Sequence, residues 1–155
     1  IQVEILMKKL LLLSLLSAVG TSAFAASNCS ITFSSDDQLT AIIKENSFDF
    51  ENYDAVCQRL KNANASVNLR PYSVINERQT TAVVIASVTD INLPILSNRY
   101  SSSMWSSPER TSNKEKELLM LAVNDALSGI TQAHINSLNE SRKKLGVRVY
   151  PVSAK

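Results

Sequence analysis

Residues 112–146 constrain this chain more than any other stretch, because they carry every mark of a helix. Ser112-Asn113-Lys114-Glu115 has the Ser-x-x-Glu form of a capping box, whose hydroxyl and carboxylate satisfy backbone N–H groups at a helix start. Leu119, Val123, Ala126, Leu127, Ile130 and Ala133 then recur at helical spacing. Arg142, Lys143 and Lys144 place positive charge at the negative end of the helix dipole, and Gly146 suits a left-handed cap. Unbroken, such a helix runs about 50 Å at 1.5 Å per residue. A domain of this size is about 35 Å across. The helix must therefore overhang, bend near Gly129, or break. Its apolar stripe fades beyond His134 into Ser137, Ser141 and Lys144. Ile135 and Leu138, at the margin of that stripe, are what a partner would cover, a second copy of this chain included.

Residues 1–25 are expected to leave the protein. Met7-Lys8-Lys9, the apolar run over residues 10–16 and Ala23-Phe24-Ala25 form the three parts of a secretory signal peptide. Residues 1–6 look like an upstream start. The apolar run is too short to span a bilayer, so no transmembrane segment is expected after cleavage. Residues 26–155 then form one domain. The short, Lys-rich leader points to bacterial export into the periplasm, with secretion as second choice. There the Asn-x-Ser sequons at Asn28, Asn64 and Asn139 are inert.

Charge bounds the partners. Of 16 Lys+Arg and 14 Asp+Glu, the leader removes Lys8, Lys9 and Glu4, leaving a formal charge of +1. A well-mixed, nearly neutral surface argues against nucleic acid, which calls for a concentrated basic face. Cys29 and Cys57 are the two cysteines, and an isolated pair in an oxidising compartment reads as one disulfide. Metal binding wants more Cys or His nearby, and redox chemistry wants Cys-x-x-Cys.

Along the rest of the chain, residues 30–33 suit a short extended piece, and Ser35-Asp36-Asp37-Gln38 repeats the capping-box pattern before Leu39, Ile42 and Ile43. Tyr53, Val56, Cys57 and Leu60 mark a second helix with Cys57 on its buried face. From Ser66 the period changes to two. Residues 66–75 read as a strand that Pro71 confines to an edge or marks as a bulge. Residues 80–90, apolar on nearly both sides, read as its central hairpin partner. Residues 97–112 are either a third strand or a long loop, and residues 147–152 alternate like a last edge strand. The expected class is α+β: a small antiparallel sheet of two to four strands packed against helices, with one long C-terminal helix.

Catalytic signatures are absent from this sequence. His134 is the single histidine and has no Cys, His or acid at metal spacing. No Gly-x-Ser-x-Gly or Ser-x-x-Lys motif marks a nucleophile, and two glycines beyond the leader leave no phosphate-cradling loop, so no cofactor or metal is expected. Asp36, Asp37, Asp49, Glu51 and Asp54 suit helix starts and turns. Tyr100, Met104 and Trp105 are the candidate binding residues, set in a serine-rich segment. The alternative is that Trp105 and Tyr100 fold back on the core. Two functions remain: an exported non-enzymatic protein acting by protein contact, such as an inhibitor, an immunity protein or an envelope accessory subunit, or a small hydrolase whose carboxylates and His134 converge only in three dimensions.

Overall fold

The computed structural model describes residues 29–150, so the expected leader and the last five residues lie outside the described part. A short strand, β1 (Phe33–Ser34), leads into helices α1 (Asp37–Asn46) and α2 (Tyr53–Asn62). Three long strands follow: β2 (Ala65–Ile75), β3 (Thr80–Asp90) and β4 (Leu96–Ser107). Helices α3 (Ser112–Ser128) and α4 (Gln132–Lys144) close the chain. The class is α+β, and the sheet order is β1-β2-β3-β4.

The sheet is mixed, where an antiparallel one was expected. β2, β3 and β4 form an antiparallel meander, but β1 pairs parallel to β2 through Phe33 and Ser34 opposite Val67 and Asn68. The cause is the connection: α1 and α2 form a crossover between β1 and β2, and a crossover of this length permits parallel pairing. Residues 97–112 resolve into β4 and a short link to α3.

The long helix breaks in two. α3 ends at Ser128, and Gly129, Ile130 and Thr131 separate it from α4. At the break Ser101 of β4 comes so close that a Cβ on Gly129 would run into its hydroxyl. Distant side chains take the carbonyls that the helix end leaves free. Asn52 Nδ2 donates to Ser128 O at 3.0 Å and Arg59 Nη1 donates to Ile130 O at 2.7 Å. Ile130 plugs the core, 1% exposed. The cap at the front is one residue earlier than the sequence motif: Thr111 Oγ1, not Ser112, accepts the N–H of Lys114 at 3.1 Å. Likewise Asp36 Oδ1 caps α1 by accepting from Leu39 N at 2.7 Å.

With the break, α4 folds back along the sheet and no turns project. Ile135 and Leu138 are buried in the chain's own core at 2% and 0% exposure, so they offer no surface to a partner. Residues 147–150 form no strand; Tyr150 is instead held by Asn139, whose Nδ2 donates to its carbonyl at 2.7 Å.

α3 is the main support of the sheet. Leu119, Val123, Ala126 and Leu127 are all buried, as the helical stripe requires, and Leu118 and Met120 join them because α1 also packs on this helix. Val123→Ala should cost about 1–3 kcal/mol, the transfer term plus a cavity. Ser141→Ala, losing only a hydroxyl bond to Ser137 O on α4, should stay within about 0.5 kcal/mol. Urea midpoints check the ranking, and an inverted order would mean that α3 does not carry the core.

Candidate interaction surface

β3 alternates strictly. Ala82, Val84, Ala86 and Val88 are fully buried under the helices, whereas Thr81, Val83, Ile85 and Ser87 stay partly open. The register extends that second set across the meander. Tyr72, Val83 and Met104 form one row, Arg70, Ile85 and Ser102 the next, and Asn68, Ser87 and Tyr100 the third. Side chains alternate faces along a strand, so these rows share the outer face of the sheet. Tyr72 is 60% exposed, Val74 52%, Tyr100 65% and Met104 70%. At roughly 200 Å² for a large side chain, these four leave on the order of 400–500 Å² of mostly apolar surface open, a size at which patches are often functional. Arg70 is the one charged side chain of these rows, and its Nε donates to Asn68 Oδ1 at 3.1 Å.

The three expected binding residues therefore part company. Tyr100 and Met104 stand on the outer face, while Trp105 lies opposite Ala82 on the inner one. Its Nε1 donates to Asp125 Oδ2 at 2.8 Å, a carboxylate that Ser103 Oγ also reaches at 3.3 Å, so Trp105 closes the rim of the core against α3. Tyr72, Val74, Val83 and Ile85 complete the surface, and none was singled out from the sequence. The signal was present in residues 80–90: apolar residues on both sides of one strand fit either a strand covered twice or a contact face.

His134 is the third residue of α4. Its Nδ1 accepts the N–H of Thr131 at 3.1 Å, the returning arm of a capping interaction, and among the described residues no carboxylate is hydrogen-bonded to it. Asp49 and Glu51 line a shallow groove with Asn124, Asp125 and Ser128, a groove that His134 does not line. Among the described residues no group of three or more His, Cys, Asp or Glu is placed to hold a metal ion. No helix among them is long and apolar enough to cross a membrane.

One polar cluster is built entirely for structure. Arg142 is fully buried, where the sequence placed it on a solvated last turn. Its Nε donates to Asp90 Oδ2 at 2.8 Å, and Nη2 completes the ion pair. Nη1 donates to Ala63 O at 2.9 Å and Asn139 Oδ1 at 3.0 Å, and Nη2 also reaches Asn64 O at 3.0 Å. The Tyr150 ring lies 4.6 Å from the guanidinium. Burial alone would raise the pKa of Asp90. The N–H groups of Asn92 and Leu93 on Oδ1, together with Arg142, outweigh it and hold the carboxyl below its ordinary value.

Neither protein-family models, nor curated proteins, nor solved structures give a match to this chain.

Proposed function

We propose that this chain is an exported periplasmic protein without catalytic activity, acting by contact with another protein through the outer face of its sheet. The observation that carries the reading is the row of Tyr72, Val83 and Met104 with Tyr100 nearby, held on paired strands and left open by the described residues. Large side chains on a preorganised face lose little freedom on binding, and aromatic anchors dominate the energetics of protein contacts. The partner suited to this face has an apolar centre and an acidic group at the rim for Arg70. An inhibitor, an immunity protein or an accessory subunit of an envelope assembly would work in this way. The Cys29–Cys57 disulfide fits an oxidising compartment.

The test compares the wild type with a Tyr72→Asp, Met104→Asp double variant. Both are immobilised and exposed to the envelope fraction of the source cell, and retained proteins are identified by mass spectrometry. A protein held by the wild type and reduced at least about tenfold on the equally stable variant is expected, since one desolvated charge costs more than that factor. Identical retention by both would remove the outer face from consideration.

A further inference from the structure

The two edges of the sheet are built differently. At one edge β1 covers two residues of β2, and beyond it stands Pro71. Val67 donates its N–H to Thr32 O on the β1 side, and the two-residue period turns the Pro71 nitrogen to the same side. Proline therefore removes no bond to β3 and leaves an edge that cannot donate there. Short strands and proline are the usual devices against strand addition. The edge formed by β4 has neither.

Which groups β4 presents follows from the same period. Val67 faces away from β3, so its partner Val88 faces β4, as do Ala86, Val84 and Ala82. Ala86, Val84 and Ala82 pair with Ser101, Ser103 and Trp105, while Val88 falls in a register shift. The N–H and C=O groups of Tyr100, Ser102, Met104 and Ser106 point outward, and among the described residues no strand, helix or side chain pairs with them. The open stretch has defined ends. On one side the Asn98 N–H is taken by Ser137 Oγ at 3.0 Å, and on the other Pro108 follows the strand.

We propose that the chain forms a two-fold homodimer in which β4 pairs antiparallel with β4 of a second copy, joining the two sheets edge to edge. With the axis at Ser103, Tyr100 pairs with Ser106 of the second copy and Ser102 with its Met104. Every open group of the stretch is then satisfied, each pair exchanging both its bonds. Charge favours this direction. Arg99 is the sole charged residue of β4. The antiparallel register brings it diagonally toward Glu109 of the second copy, whereas a parallel pair in register would set Arg99 against Arg99. The Glu109 carboxylate accepts from Thr111 Oγ1 at 2.9 Å and faces Lys114 at 3.6 Å, yet remains half exposed. A head-to-tail array is disfavoured because β4 would have to add to the edge that β1 and Pro71 guard, whereas the two-fold pairing closes on itself. The dimer leaves the outer face free and doubles it, so this inference stands independently of what that face binds.

Sedimentation of the purified protein from about 1 to about 100 µM spans the affinities of small interfaces. The wild type should show the doubled mass. Ser102→Pro should be a folded monomer by circular dichroism, since that N–H faces the open edge and bonds nothing in β3. Ser103→Cys, which meets itself across the axis, should form a disulfide-linked dimer under mild oxidation, and Ser106→Cys should not. A wild type that stays monomeric throughout overturns the proposal, as does a dimer that persists in folded Ser102→Pro. Linkage through Ser106→Cys in place of Ser103→Cys overturns it also. Apart from the circular dichroism check of folding, each readout is a mass, and none depends on a foreign partner.

Discussion

Arg142→Met should destabilise the protein by about 3–5 kcal/mol at neutral pH, the range for removing one partner of a buried ion pair. Methionine keeps much of the aliphatic stem's volume, so the loss reports mainly on the charge. What remains is Asp90, 7% exposed, with no cation beside it, and the Ala63 carbonyl without the Arg142 donor, while Asn64 O keeps only the N–H of Ile91. The pH dependence has a definite sign. In the wild type the folded pKa of Asp90 is depressed, so its contribution is complete above the unfolded value of about 3.9 and is lost as pH falls through the lower folded value. In the variant the lone buried carboxylate gains from protonation. The difference between the two proteins should therefore be largest near neutrality and shrink as pH drops below about 4. Asp90→Asn keeps an acceptor for Asn92 and Leu93 while removing the charge, so adding it to Arg142→Met should recover part of the loss. Urea midpoints at a series of pH values check all three. A shift below about 1 kcal/mol for Arg142→Met would mean that this cluster does not hold α4 to the sheet.

The sequence made the elements visible where local chemistry decides them and hid those decided at a distance. β3 was legible to the residue, because a short run over residues 80–90 that is apolar on nearly both sides suits a central strand. Pro71 marked an edge, and the structure shows why: past the two residues of β1, that side of β2 faces solvent. The break of the long helix had a local hint in Gly129. Its position, however, depends on Ser101, Asn52 and Arg59, which approach from elements far away in the chain. Once the break is made, Ile135 and Leu138 swing into the core, so the fading stripe reflects a new helix axis and no overhang. Arg142 was hidden for a similar reason. Lys and Arg at the end of a helix ordinarily face water, and only Asp90 together with the acceptors of Ala63, Asn64 and Asn139 makes burial of this one tolerable. For the candidate surface, Tyr100 and Met104 were visible as large side chains in a serine-rich stretch. Trp105 sat beside them in sequence but faces the other way, a consequence of strand alternation in a segment that also read as a loop.

Replacing both cysteines by serine should cost about 3–4 kcal/mol, the chain-entropy value for a loop closed over 28 residues. The bond joins Cys29, at the start of the described chain, to Cys57 on the buried side of α2, and both are nearly inaccessible. The tie is not alone in holding this segment. The Tyr53 hydroxyl donates to Cys29 O at 3.2 Å and accepts the N–H of Ile31 at 3.4 Å, and Ile31 is itself buried. The native contacts of β1 should therefore survive reduction, and the loss should come largely through the freed unfolded chain. Tyr53→Phe provides the comparison: it removes those bonds but leaves the loop closed, and should cost about 1 kcal/mol. If the serine variant lost no more than Tyr53→Phe, the disulfide would be contributing nothing beyond the local contacts. Whether the bond forms in an exported protein is tested directly. Material recovered from the periplasm and alkylated without reductant should carry no alkyl group, because both sulfurs are engaged. Two alkylated thiols on periplasmic protein would show that the pair does not form in that compartment.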